Sequence, residues 1–102
     1  MSELIETRTV IVTDPLGIHV RSALAIVQVA RRGGSKVTIA KGTRRVDATE
    51  MLQVMTLAAE QGTELVVEAV GVDAVAVLDS LEPLFAGDMD ETPEKGTSEK
   101  TV

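Results

Sequence analysis

The stretch Lys36–Ala48 limits the fold more than any other part of this chain. Two short runs with strand character, Lys36–Ala40 and Arg44–Ala48, are joined by Lys41-Gly42-Thr43, a hairpin signal. A hairpin makes its two strands antiparallel neighbours, which argues against an all-parallel α/β sheet. Glu6–Val12, with Thr, Val and Ile in a row, and the Val-rich Glu64–Val70 read as two further strands. Between these runs lie helical segments. Val20–Arg32 carries no breaker, repeats Ala23, Leu24, Val27 and Ala30 at helical spacing, and stops at Gly33-Gly34 behind two arginines. Glu50–Ala59 is rich in Met, Leu and Gln, with Met51, Leu52 and Met55 on one face and Val54 and Leu57 elsewhere. It ends at Gln61-Gly62-Thr63. A last helix runs from an Asp73 cap to about Phe85, with Val77, Leu78, Leu81 and Leu84 as its apolar stripe. Pro83 inside that pattern predicts a kink or a loosened last turn.

The resulting order is β-α-β-β-α-β-α. It predicts an α+β domain with a four-stranded, mainly antiparallel sheet, three helices on one face, and the polar side of each strand left uncovered. The length of 102 residues suits one domain. Past Gly87 the composition turns to Asp, Glu, Thr, Lys, Ser and Pro, from which no core can be built. Residues 1–87 are therefore expected to fold and residues 88–102 to form a disordered acidic tail. Phe85 is the one aromatic residue, so the core must come from Val, Leu, Ile, Ala and Met.

Charge and composition narrow the chemistry. The formal net charge of −6 argues against nonspecific nucleic-acid binding. Arg21, Arg31, Arg32, Arg44 and Arg45 all lie in the first half, so one end of the domain is expected to attract anions despite the overall sign. With no cysteine and one histidine, neither a disulfide framework nor a thiolate or paired-histidine metal site is available, and no metal or other cofactor is expected. No serine sits in a nucleophile elbow. The acidic start, Met1 to Glu6, does not resemble a signal peptide, and no run approaches the roughly 20 apolar residues of a membrane span. A cytoplasmic location without membrane insertion, and a monomer, are the expectations.

His19 stands where the Asp14–Gly17 turn meets the helix that begins at Val20. The first amides of a helix have no partner within it and sit at its positive end, so a phosphoryl group on the imidazole would find donors there. Gly17 allows a tight approach, and Arg21 can add a charge-assisted contact. Near neutral pH the nucleophilic, uncharged ring is well populated. A single histidine at a helix start is also commonly a plain cap or surface residue, and position alone does not separate the two readings.

The segment Gly17-Ile18-His19-Val20-Arg21-Ser22-Ala23 resembles the active loop of the HPr family, the histidine-containing phosphocarriers of the sugar phosphotransferase system, whose pattern is Gly-(Ile/Leu)-His-x-Arg-Pro-Ala. The similarity continues through Val46, Met51-Leu52-Gln53-Val54-Met55-Thr56-Leu57, Gln61-Gly62-Thr63, Gly71 and Asp73, covering residues 5 to about 87. It implies an open-faced β-sandwich and a carrier that acts stoichiometrically, leaving catalysis to its partners. His19 would accept a phosphoryl group through Nδ1 from the phosphoenolpyruvate-dependent first enzyme and pass it to a second-enzyme component. Arg21, with Ser22 and Gly17, would hold the phosphate. Val20, Leu24, Met51, Leu52 and Met55 would form the docking face, with core filling an equal alternative for Met55. Arg31 and Arg44 would frame that face or serve as solvated charges.

Two positions depart from the family pattern. Ser22 replaces the proline that pre-sets φ in the first helical turn, which predicts a looser loop and a hydroxyl or amide turned to the phosphate. Glu50 occupies the position of the serine that HPr kinase modifies in many members; the expectation is escape from that control, or simple stabilisation of a helix start. Two alternatives stand beside the transport reading. One is an HPr-like regulator in a nitrogen-related or signalling branch of a phosphotransferase system. The other is a ligand-binding domain of similar β-α-β order whose histidine is structural.

Overall fold

The computed structural model describes residues 4–88. Four strands form one sheet: β1 (Ile5–Ile11), β2 (Lys36–Lys41), β3 (Arg44–Asp47) and β4 (Glu64–Val70). Their spatial order is β1-β4-β2-β3, and every pair is antiparallel. Three helices, α1 (Val20–Arg32), α2 (Met51–Met55) and α3 (Ala74–Leu81), and a final 3₁₀ turn (Glu82–Ala86) complete the β-α-β-β-α-β-α order that the hairpin and the helical spacings predict.

Period-two alternation sends one residue set of each strand inward. Val67 of β4 stands between Arg8 of β1 and Ile39 of β2, and Ile39 in turn faces Val46 of β3. Leu65, Val67, Ala69, Val37 and Ile39 are all buried in this layer. Ile26 and Ala30 of α1 and Val77, Leu78 and Leu81 of α3 pack over it, together with Leu84 and Phe85. Each fully buried Val, Leu, Ile or Phe side chain here contributes about 1.5–3 kcal/mol. At the sheet edge, Arg8 donates to Asp79 (2.7 Å) and Glu82 (3.1 Å), fastening β1 to the last helical segment. A second, smaller cluster joins α1 to α2: Ala23, Val27 and Val54 are buried, with Ile18, Met51 and Met55 against them.

Several local expectations need correction. The predicted helix Glu50–Ala59 is shorter: Thr56 closes α2, donating its amide to Leu52 and Gln53 carbonyls, and Ala58 adopts φ 48. Left-handed backbone cannot continue a right-handed helix. Lys41 Nζ then donates to the Leu57 carbonyl at 3.0 Å, satisfying a group that the short helix leaves free. Asp73 stands at the N-cap of α3, but its side chain does not cap the helix. Its carboxylate accepts the Gly34 amide (2.9 Å) and the Ser35 hydroxyl, tying the end of α1 to the start of α3. These bonds, the serine's first, hold the Asp73 carboxyl below the usual carboxylate range. The uncovered sheet face is not uniformly polar either, because Ile5, Ile11 and Val66 are exposed on it among Thr and Glu.

The last segment behaves as Pro83 predicts. The α-helix gives way at Glu82 to the 3₁₀ turn, and Gly87 ends it in the left-handed region at φ 83. Residues 88–102, expected as a tail, lie outside the described residues except for Asp88. Among the described residues, no helix is long and apolar enough to cross a membrane.

Candidate functional site

The site grows from the loop between β1 and α1. After Ile11 the chain continues the β1–β4 ladder by one pair of bonds, Val12 amide to Thr63 carbonyl (2.9 Å) and Gly62 amide to Val12 carbonyl (2.7 Å). It then turns. Thr13 and Asp14 both give their amides to the carbonyl of Phe85, at 3.1 and 3.3 Å. The Asp14 carboxylate accepts the Leu16 amide through Oδ1 (2.9 Å), and the Asp14 carbonyl accepts the Gly17 amide (2.8 Å). This closed Asp-containing turn delivers Gly17 at φ 69. Ile18 next donates its amide to the Ala59 carbonyl at 2.8 Å, pinning the loop to the segment after α2.

His19 follows as the N-cap of α1, in extended backbone at φ −124. Its carbonyl accepts the Ala23 amide (2.8 Å), the first bond of the helix. The ring is partly open to solvent, with 28% of the side chain exposed, and its Nε2 lies 3.3 Å from Asp14 Oδ2. Asp14 itself is only 6% exposed. Placing the imidazole at the cap puts it beside the unpaired amides of the first turn.

Ser22 is bonded back to this loop. Its hydroxyl accepts the His19 amide at 3.0 Å and donates to the His19 carbonyl at 3.2 Å. The side chain is buried and turned back on the acceptor's own backbone, forming the N3 half of a capping box. The expected rigidity of proline is thus replaced by two hydrogen bonds. The hydroxyl is engaged there, which leaves the amide as the group Ser22 can offer an anion. Gly17 has a similar outcome. Its amide is donated within the turn, and its Cα faces the Ala59 carbonyl, so its glycine requirement is set by loop closure. Arg21 is exposed on the first turn and, among the described residues, makes no hydrogen bond or ion pair.

The apolar residues sort into two groups. Val20, Leu24 and Leu52 are solvent-exposed, Leu52 at 81%. Met51 and Met55 are half-buried against Val54 and Val27, so they serve core and surface together. Leu16, exposed in the turn before His19, belongs with the first group and was not singled out by spacing or composition. Arg31 donates from Nε to the Thr49 carbonyl (3.0 Å), linking the end of α1 to the start of α2. Thr49 gives both its amide (2.9 Å) and its hydroxyl (2.7 Å) to Asp47 Oδ1, and these bonds hold the Asp47 carboxyl below its ordinary range. Glu50 is the N-cap of α2; its carbonyl accepts the Val54 amide at 3.0 Å, while its exposed side chain makes no cap bond.

Asp14 is the residue beside the His19 ring that sequence reasoning does not single out. The signal for it is an acidic residue five positions before the histidine, inside a turn. Its direction depends on Phe85 and Gly87, which come from the other end of the domain. A Cβ added at Gly87 would sit 2.6 Å from Asp14 Oδ2, so only glycine lets the last turn close over the carboxylate.

Comparison with known proteins identifies the family. The profile of the family described as "PTS HPr component phosphorylation site" matches residues 6–87. The phosphocarrier protein HPr of Treponema pallidum is 40% identical over 84 residues, spanning 82% of this chain and 96% of that protein. The HPr of Streptomyces coelicolor is 39% identical over 79 residues, 76% of this chain and 85% of its own. Among solved structures, the HPr of Bacillus anthracis superimposes with a TM-score of 0.75 at 28% identity, covering 78% of this chain and 95% of that one. A structure described as an HPr dimer from Thermoanaerobacter tengcongensis matches with a TM-score of 0.63 at 28% identity, over 70% and 82% of the two chains. Fold and sequence agree, and the chain belongs to the HPr family of phosphocarriers of the phosphotransferase system.

Proposed function

We propose that His19 is the phosphoryl acceptor of this carrier and that Nδ1 is the atom that takes the group. The observation that carries the reading is the position of the ring: a partly exposed imidazole at the N-cap of α1, with one nitrogen facing a buried carboxylate. A phosphoryl group on the other nitrogen meets the positive end of the helix and its free amides. Arg21, exposed and unpaired among the described residues, supplies the countercharge. Attack requires no general base on the carrier, since a neutral imidazole already holds a lone pair. The carrier therefore contributes nucleophile and electrostatics, and its partners contribute catalysis.

The donor is the phosphoenolpyruvate-dependent first enzyme of the system, and the recipient a second-enzyme component. Both dock over Val20, Leu24 and Leu52 with the exposed edges of Met51 and Met55, beside the acceptor. The cytoplasm, where phosphoenolpyruvate is made, is the setting for this exchange. A monomer suffices, because one chain supplies every group in the site. Residues 1–87 form the carrier unit in this reading. Glu50 in the position of the family's regulatory serine leaves no hydroxyl there for a kinase, and the neighbouring Thr49 hydroxyl is bonded to Asp47.

Incubation with phosphoenolpyruvate and a first enzyme tests the central claim. Intact mass is expected to rise by one phosphoryl group in an acid-labile form, and His19→Ala to abolish the gain. A wild-type protein that gains no mass with any first enzyme tried, or a His19→Ala protein that still gains it, overturns the assignment.

A further inference from the structure

The Asp14 carboxylate is hard to account for as a packing residue. It is a buried carboxyl group, and burial of an unpaired carboxylate is costly. Oδ1 is satisfied by the Leu16 amide at 2.9 Å. Oδ2 lies against Gly87, and the group it faces with a proton to give is the His19 ring at Nε2, 3.3 Å away. The carboxylate is fixed on three sides: by its own turn, by the Phe85 carbonyl that takes the Asp14 amide, and by the Cα of Gly87. Such a group does not follow the imidazole; the imidazole conforms to it.

From this geometry we infer that Asp14 is a positioning residue for phosphoryl transfer, acting through His19 by keeping the ring proton on Nε2. The inference rests on the carrier reading above and names the group that makes Nδ1 the nucleophile. A neutral imidazole has one N–H and one lone pair, and a carboxylate acceptor decides which nitrogen carries which. With the proton held at Nε2 by Oδ2, the lone pair sits on Nδ1. In the transfer step Nδ1 forms a bond to phosphorus, and the bond from phosphorus to the donor's leaving atom breaks, its electron pair going to the donor. No proton moves. The ring becomes a phosphorylated imidazolium that keeps its Nε2 proton, and its positive charge develops next to the Asp14 carboxylate. In the return step the recipient's nucleophile attacks phosphorus and the N–P bonding pair goes back to Nδ1. Fixed negative charge beside a developing cation stabilises the transition state without reorganisation.

The role differs from the purely structural one that the turn suggests. An Asp needed only to close the turn works through Oδ1, which an asparagine carbonyl can replace. Charge on Oδ2 matters only for the ring.

The test uses the full chain with ring-15N-labelled histidine. In unphosphorylated wild-type protein, at a pH where the ring is neutral, 15N–1H correlations are expected to show the proton on Nε2 with exchange slowed by the carboxylate. Asp14→Ala should speed that exchange to the rate of an open ring. Asp14→Asn, which keeps the turn acceptor and loses the charge, should also speed it while leaving the melting temperature nearer wild type. Transfer from a first enzyme should fall roughly 10- to 100-fold in kcat in both variants, by analogy with carboxylates that orient metal-ligating histidines, with KM for the first enzyme little changed. A wild-type ring protonated mainly at Nδ1 overturns the inference, and so does an Asp14→Asn protein with unchanged Nε2–H exchange and wild-type transfer. A wild type that accepts no phosphoryl group at all sinks the carrier reading instead, while the ring spectrum still decides what Asp14 does to His19.

Discussion

The Cα of Gly17 faces the carbonyl oxygen of Ala59 so closely that a Cβ there would overlap it and lie 2.9 Å from the Cα of Glu60. Two backbone segments meet at that point, the loop that carries His19 and the stretch leaving α2. Gly17 also sits at φ 69, where L side chains are strained. Gly17→Ala is expected to push the two segments apart. The cost should be about 1–3 kcal/mol of stability, with a larger loss of phosphoryl acceptance, because Ile18 and His19 move with the loop. Urea unfolding alongside a transfer assay checks both.

Ala58 offers the opposite case. It is exposed and holds φ 48. Relief of the left-handed strain is worth about 1–2 kcal/mol, and the added freedom of glycine in the unfolded chain takes back about 0.4–1 kcal/mol. Ala58→Gly is thus expected to raise stability by roughly 0.5–1 kcal/mol, measured as a higher urea midpoint at an unchanged slope.

Asp73 sets a pH dependence. Its carboxyl is held below the ordinary value by the Ser35 hydroxyl and the Gly34 amide, so the folded state binds its proton less readily than the unfolded chain does. The stability it adds is fully present above the ordinary carboxylate pKa of about 3.9. It disappears as pH falls through the lower folded-state value. Asp73→Asn should therefore be less stable than wild type at pH 7, with the gap closing in strongly acid solution. Paired denaturant titrations at neutral and acid pH show the convergence.

Leu52 separates docking from folding. Exposed at 81% on α2, it buries almost nothing in the isolated domain. Leu52→Ala should shift stability by no more than about 0.5 kcal/mol. If the exposed apolar group around His19 is where partners dock, the same change should raise KM for the first enzyme several-fold and leave kcat nearly intact. Steady-state transfer kinetics distinguish the two.

The histidine loop is readable in the sequence because three local signals coincide there: a turn with Pro15 and Gly17, a helix free of breakers from Val20, and a family pattern across the junction. The β2–β3 pairing is readable for the same reason, since the Lys41-Gly42-Thr43 hairpin is local, whereas the insertion of β4 between β1 and β2 rests on long-range pairing. Part of what stays hidden depends on partners distant in the chain, and part on local conformation. The length of α2 is decided by Ala58 turning left-handed near the docked loop, and nothing in an alanine announces that. Asp73 has the residue type of a cap, yet it reaches Gly34 and Ser35, which approach it only in the folded domain. Ser22 reads as the loss of a proline. Its hydroxyl closes on both backbone groups of His19 from the N3 position, where Glu or Gln is the usual capping-box residue and a serine gives little signal. Asp14 shows the same limit, because an acidic residue in a turn looks ordinary until Phe85 and Gly87 cover it.

The Phe85 carbonyl that takes the Thr13 and Asp14 amides also bears on how the protein is made. Ribosomes release the chain from its N-terminus, so the acceptor loop emerges early and its supporting turn at residues 85–87 emerges late. Until then Thr13 and Asp14 have no Phe85 to hold them, and the carboxylate has no glycine closing over it. A nascent chain can present the histidine long before it can present it correctly. Full competence to receive phosphate should therefore appear only once Gly87 has left the ribosome.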